Sequence, residues 1–295
     1  MKKKNIHSDN GVAYAMIAPY YIFLFLFILL PIVVNIFMSF TNYDLRTMDF
    51  IGFRNYERML SDSFLAISIR NTFVYTIISL SILLVLGLAT AILITKVAKR
   101  LAGFFRTCIF IPFVVSMASA SMIWLWMYDP GAGFLNAILG WFNIPNQTWV
   151  YDVDMAMGSV IAVTVWKFLG YNMVIYTAGL LGIPAQLYEA AKIDGAGAIK
   201  QLYYITLPML WPTTFFLLVT GFTNNFNVFE QINILTQGGP MNATTTIMHQ
   251  VYRRAFIESR FGYAAAITVV LLVIVSIVTA LSFRLGSRGQ DLDLS

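Results

Sequence analysis

Glu189-Ala190-Ala191-Lys192-Ile193-Asp194-Gly195-Ala196, continuing to Ile205-Thr206-Leu207-Pro208, is a polar interlude between two long hydrophobic runs. Its chemistry predicts a short exposed helix, a turn, and the start of another apolar span. Pro184 suits a first helical turn, where a missing N–H costs nothing. Ile183, Leu187, Ala190 and Asp194 recur at helical spacing, and Glu189 and Lys192 are placed to pair on the neighbouring face. Asp194-Gly195 predicts the stop, because glycine adopts the left-handed backbone that closes a helix. A second short amphipathic run, Ala198 to Ile205, leads into Leu207-Pro208. Ala190 and Ala191 keep the helix slim, a shape suited to docking in a groove.

The surroundings of this stretch set the class. The chain has 295 residues, 59% hydrophobic and 11% charged, with mean hydropathy +0.74. Soluble domains carry about 25% charged residues, so this is a membrane composition. A net charge of +5 lies in short loops rather than one patch, which argues against nucleic acid as partner. The single Cys108 allows no intrachain disulfide and no thiolate metal cluster. Lys2, Lys3 and Lys4 precede an apolar run, Val12 to Phe40, that is too long for a secretory signal. A basic tail over 1–12 and a retained signal-anchor span are therefore expected.

Hydropathy predicts six spans: Ala15–Met38, Thr72–Thr95, Thr107–Met127, Ala156–Leu180, Leu207–Phe229 and Tyr263–Phe283. Each approaches the roughly 20 residues that cross a bilayer. Loop charges orient them. Eleven Lys and Arg residues fall on the side holding both termini and the Glu189 loop, and seven on the other, in longer loops rich in acids. The positive-inside rule then makes both termini cytoplasmic. Trp124 and Trp126 are expected in an interfacial aromatic belt. No linker divides the chain, which reads as one all-α integral membrane domain over 1–295.

Catalytic chemistry is not visible. There is no Gly-x-x-x-x-Gly-Lys-Ser/Thr phosphate loop, so ATP would have to be used by another chain. His7 and His249 are isolated, and no metal-ligand cluster or nucleophile–base arrangement stands out. A transport subunit is expected rather than an enzyme.

The spacing Glu189-Ala-Ala, Asp194-Gly-Ala, Ile205-x-Leu207-Pro208 resembles the cytoplasmic coupling loop of binding-protein-dependent ABC importer permeases. Gly52-Phe-Arg-Asn55-Tyr56 with Asn71-Thr72, Phe104-Phe-Arg106 to Pro112, Trp166, and Thr236-Gln-Gly-Gly-Pro240 extend the likeness to the maltose-type sugar branch. It covers essentially the whole chain. The resemblance implies a type I importer permease in a bacterial plasma (inner) membrane, with a coupling loop over 183–206. Its expected partners are a second, homologous permease in a heterodimer, two ABC ATPases and an extracytoplasmic sugar-binding protein. No cofactor belongs to this chain, since ATP and Mg would sit on the ATPases. Glu189 would face the ATPase, Ala190 and Ala191 would pack closely, and Asp194 and Gly195 would make the turn. The loops around Gly238-Gly-Pro240 are expected to meet the binding protein.

Substrate contacts follow from residue spacing and from that likeness. Gly221, Asn224, Asn225 and Val228 lie on one face of the fifth span, and amides facing lipid would be expensive. Asparagine both donates and accepts, as sugar hydroxyls require. Interhelical hydrogen bonding is the plainer use of the same amides, and Val228 stands where the likeness leads one to expect an amide. Lys167, a cation within the fourth span, and Tyr171, one turn on, are further candidates. Lys167 would suit either a cavity wall or a structural pairing. Asn172 and Glu230 are weaker candidates. A glycerol-phosphate importer is the alternative within the class. A secondary transporter fits the hydropathy but leaves the Glu189 loop unexplained.

Overall fold

The computed structural model describes residues 6–96 and 99–290, without the side chains of 6–12, 99–100 and 285–290. Lys2, Lys3 and Lys4 of the expected basic tail lie outside the described residues, as do the side chains of Lys99, Arg100 and Arg288. The main helices are α1 (Ala13–Met38, interrupted by one π-type turn), α2 (Ser63–Lys96), α3 (Lys99–Val114), α4 (Met117–Met127), α5 (Ala156–Leu181), α6 (Ala185–Ile193), α7 (Trp211–Phe226) and α8 (Phe261–Gln290). Among the described residues there is no β-strand, only an isolated bridge between Thr41 and Phe50. Four helices are long and apolar enough to cross a membrane, and six spans result when each of two bent pairs counts as one.

Two compact units make up the chain: residues 1–62 with 251–272, and residues 63–250 with 273–295. In the first unit, none of the side chains of α1 is buried. A helix apolar all round suits lipid or another apolar partner. Its end is fastened by Asn55, whose Nδ2 donates to the carbonyls of Ser39 (2.9 Å) and Thr41 (2.8 Å). Tyr56 adds a 2.7 Å hydroxyl contact to Ser39. The Gly52-Phe-Arg-Asn55-Tyr56 motif therefore works as a clasp. Nearby, the backbone N–H groups of Thr47 and Arg46 hold the exposed Asp44 carboxyl below the usual carboxylate range. Arg254 bridges Asp62 (2.9 Å) and Glu258 (2.8 Å), and the Tyr263 hydroxyl donates to Asp62 at 2.8 Å.

The second unit is built on α2 packed along α5. Buried positions on α2 include Ser68, Thr72, Tyr75, Thr76, Ser79, Leu83, Gly87 and Ala91, a single helical face of small and polar residues. The opposite face carries exposed Ile77, Val85 and Leu93. This inverted pattern is what a bilayer selects, because small residues let helices approach and lipid covers the apolar side. At Gly87 an added Cβ would lie 2.8 Å from the Asn172 Cβ, so glycine is what allows that crossing.

The third and fifth spans are not the continuous helices the hydropathy predicts. α3 and α4 meet at 99°, and the helical segment Ala198–Met209 meets α7 at 62°. The first break follows from Ser116, which leaves the helix (φ −61°, ψ 148°) and caps α4 by accepting from the Ser119 N–H at 3.2 Å. Lys167 on α5 stabilises the break. Its Nζ donates to the carbonyls of Phe113 (3.1 Å), Pro112 (3.4 Å) and Val115. The second break lies at Leu210, just before Pro212 in the first turn of α7, where proline has no N–H to continue the ladder. Trp124 packs edge-on to Trp166 and tilts against Tyr128, whereas Trp126 is exposed.

Candidate functional sites: the Glu189 turn and an asparagine-lined cavity

α6 ends as its sequence predicts. Gly195 has φ +74°, its N–H bonds to the Lys192 carbonyl at 3.1 Å, and the Ala196 N–H bonds to the Ala191 carbonyl at 2.8 Å. Those two bonds around a left-handed glycine make a Schellman closure. Pro184 caps the helix from just outside rather than occupying its first turn. Ile183 is buried, Tyr188 and Ala191 are half-buried, and Glu189, Ala190, Ile193 and Asp194 face outward. Glu189 and Lys192 do not form the ion pair their spacing allows; among the described residues the ion pairs are made by Arg253, Arg254 and Arg260. Ile193 is 87% exposed, an uncovered apolar residue beside the turn.

The second site is a cavity of about 590 Å³ in the second unit. Its volume lies within the range typical of small-molecule sites. α7 supplies Gly221, Asn224 and Asn225, and α5 supplies Tyr171 and Asn172. Of the substrate candidates, Asn224, Asn225, Gly221 and Tyr171 therefore come together on one wall system. Lys167 is not among the lining residues; its ammonium points at the α3–α4 break. Tyr171 stacks on Phe113 with centroids 5.0 Å apart, leaving an aromatic face in the lining. Gly221 has a packing role as well, since an added Cβ would lie 2.6 Å from Leu80.

Asn225 is the informative residue. It is 7% exposed, it lines the cavity, and its Nδ2 has no hydrogen-bond partner. A buried amide N–H left unpaired costs about 1–3 kcal/mol, a deficit that an incoming acceptor removes. The lining also holds Asn224, Asn227, Gln231 and the carboxylate of Glu230, and among the described residues no Lys or Arg joins them. Such a lining offers donors and acceptors to hydroxyl groups and no countercharge to an anion.

Two lining residues, Asn227 and Gln231, lie outside the candidates singled out from the sequence. Asn227 lies beyond the last helical residue of α7, where the chain turns. Gln231 is carried back to the cavity by that turn. Its Nε2 donates to the Tyr75 hydroxyl at 2.9 Å, which itself lies 2.8 Å from the Thr164 hydroxyl. Asn227, three residues after Asn224, was findable by helical spacing; Gln231 needed the turn.

Comparison with known proteins places this geometry. Residues 83–288 match the family described as binding-protein-dependent transport system inner membrane component. The chain is 33% identical to the probable ABC transporter permease protein YurN of Bacillus subtilis, over 97% of its own length and 99% of that protein. It is 36% identical to the sn-glycerol-3-phosphate transport system permease protein UgpA of Agrobacterium fabrum, covering 95% and 96% of the two. It is 30% identical to the arabinooligosaccharides transport system permease protein AraP of Halalkalibacterium halodurans, covering 92% and 87%. In fold it is similar to a chain of a bacterial ABC transporter involved in the import of the acidic polysaccharide alginate, with TM-score 0.86, 23% identity and 95% and 96% coverage.

Proposed function

The chain belongs to the binding-protein-dependent transport system inner membrane components, multi-pass membrane proteins, and on that premise we propose that it imports a neutral sugar or oligosaccharide. The observation that carries the substrate class is the orphaned Nδ2 of Asn225 in a cavity lined by amides and aromatic faces without a cation. Sugar hydroxyls would accept from Asn225 and exchange hydrogen bonds with Asn224, Asn227 and Thr220. The Tyr171 ring would lie against an apolar sugar face.

In this reading the α6–Gly195 element docks on a separate ATPase, which supplies ATP and Mg chemistry, with both chain termini on the same cytoplasmic side. Glu189, Ala190 and Asp194 are its exposed contacts, Ala191 holds the helix close to the spans, and Gly195 sets the exit angle. A second, homologous permease completes the membrane pair, and a binding protein delivers cargo to the Gly238-Gly-Pro240 side.

A glycerol-phosphate cargo is favoured by the likeness to several UgpA proteins, that of Agrobacterium fabrum at 36% identity. Glu230 and the lack of a cation among the described lining residues weigh against it, because a phosphate dianion would meet a carboxylate in the cavity wall and no cation beside it there. The test is uptake into vesicles holding the reconstituted complex, with neutral oligosaccharides and sn-glycerol 3-phosphate as competitors. Inhibition by saccharides alone supports the proposal, and inhibition by the phosphate alone replaces it with the rival. Uptake driven by an ion gradient without ATP removes the importer reading.

A further inference from the structure

Beside the Glu189 helix lies a second recess, a groove of about 480 Å³ that shares no lining residue with the asparagine cavity. Two span ends and the loop between spans form its walls. Lys96 is the last residue of α2, Leu181 the last of α5, Tyr188 and Lys192 come from α6, and Ile199 and Leu202 from the segment beyond the turn. Both lysines are exposed, and neither is paired with a carboxylate among the described residues. No Asp or Glu lines the groove.

Its other walls are mostly apolar, and part of that surface is open: Leu181 is 75% and Ile199 73% exposed. Two unpaired cations above an apolar trough match an amphiphilic anion. A small soluble anion would satisfy the lysines and leave the trough in water. An acyl chain would cover the trough, and the ends of α2 and α5 are where a span meets the membrane surface. We propose that this groove holds an anionic phospholipid, its phosphate between Lys96 and Lys192 and its acyl chain along Leu181 and Leu202. The bound lipid ties the end of α2 to the Glu189 helix, which no ion pair joins among the described residues. The site needs only that these span ends meet a bilayer surface, so it stands apart from the identity of the cargo.

The test is lipid retention by the purified complex from mixed phosphatidylcholine and phosphatidylglycerol vesicles, read by native mass spectrometry without any transport step. Phosphatidylglycerol should be retained in preference to phosphatidylcholine. Lys96→Gln with Lys192→Gln should reduce that retention about tenfold or more, as the loss of two cations facing an anionic headgroup requires. Lys96→Arg with Lys192→Arg should keep it. Lys200→Gln, an exposed lysine of the same loop outside the groove, should leave it unchanged. Equal retention in the double Gln variant overturns the proposal, as does an equal loss with Lys200→Gln, which would mean general surface charge. Displacement by free sn-glycerol 3-phosphate also overturns it, assigning the lysines to a soluble anion.

Discussion

The hydroxyl of Tyr188 on α6 lies 3.0 Å from that of Thr206, so the helix before Gly195 and the segment after it are tied across the turn. Thr206 sits just before the 62° bend leading into α7, the helix that carries Asn224 and Asn225. A push on α6 thus has a short covalent and hydrogen-bonded route to the cavity wall. Tyr188→Phe should remove about 1 kcal/mol of that connection while keeping the ring's packing. Reconstituted complexes carrying it should consume several times more ATP per sugar imported. An unchanged ratio would show that the hydroxyl pair plays no part in coupling.

Gly195 gives a sharper test, because two defects coincide there. Proline cannot reach φ +74°, and it lacks the N–H that bonds to the Lys192 carbonyl. Gly195→Pro should accumulate in the membrane normally and lose both transport and substrate-stimulated ATP hydrolysis. Gly195→Asn, which tolerates a left-handed backbone, should retain most of both. Full activity in the proline variant would dismiss the turn as the docking element.

Asn225 separates binding from stability. Replacing it with Leu removes a buried donor that has no partner, so the melting temperature should hold or rise. Import of sugar should nonetheless fall about tenfold, the worth of roughly one lost hydrogen bond to a substrate. A variant that melts early and transports normally per folded molecule would make Asn225 a structural amide.

For Lys167 the opposite pattern is expected. Lys167→Met strips the carbonyls of Phe113 and Val115 of their donor in a buried place, a loss of about 3 kcal/mol or more. Thermal stability should drop sharply, while the KM of the remaining folded transporter stays near that of the parent. A stable variant with an altered KM would return Lys167 to the list of substrate contacts.

The parts of the fold legible in the sequence were those with a local cause. Apolar length located the spans, and the need for a left-handed residue located the end of α6 at Gly195. Breaks within spans have a tertiary cause. Pro112 lies inside α3, yet the chain bends three residues later at Val115-Ser116, where a lysine from another helix takes the freed carbonyls. Nothing near Ser116 announces that lysine. The same limit explains Lys167 itself: a cation in a span stands out, but its partners are carbonyls, which every residue carries. In the cavity, helical spacing identified Gly221, Asn224 and Asn225 because they share one helix. Gln231 lies past the turn that ends α7, where periodicity no longer applies. Glu189 and Lys192 illustrate the reverse error, since three-residue spacing permits contact and does not compel it.

The grip of Lys167 on the α3–α4 break has a consequence for biogenesis. Alone in lipid, the fourth span would carry an unneutralised ammonium; alone, the third would expose carbonyls freed by its bend. The two defects meet where Lys167 donates to those carbonyls. The third and fourth spans therefore complete each other, and a third span inserted without the fourth would leave the carbonyls at its bend without the donor that holds them.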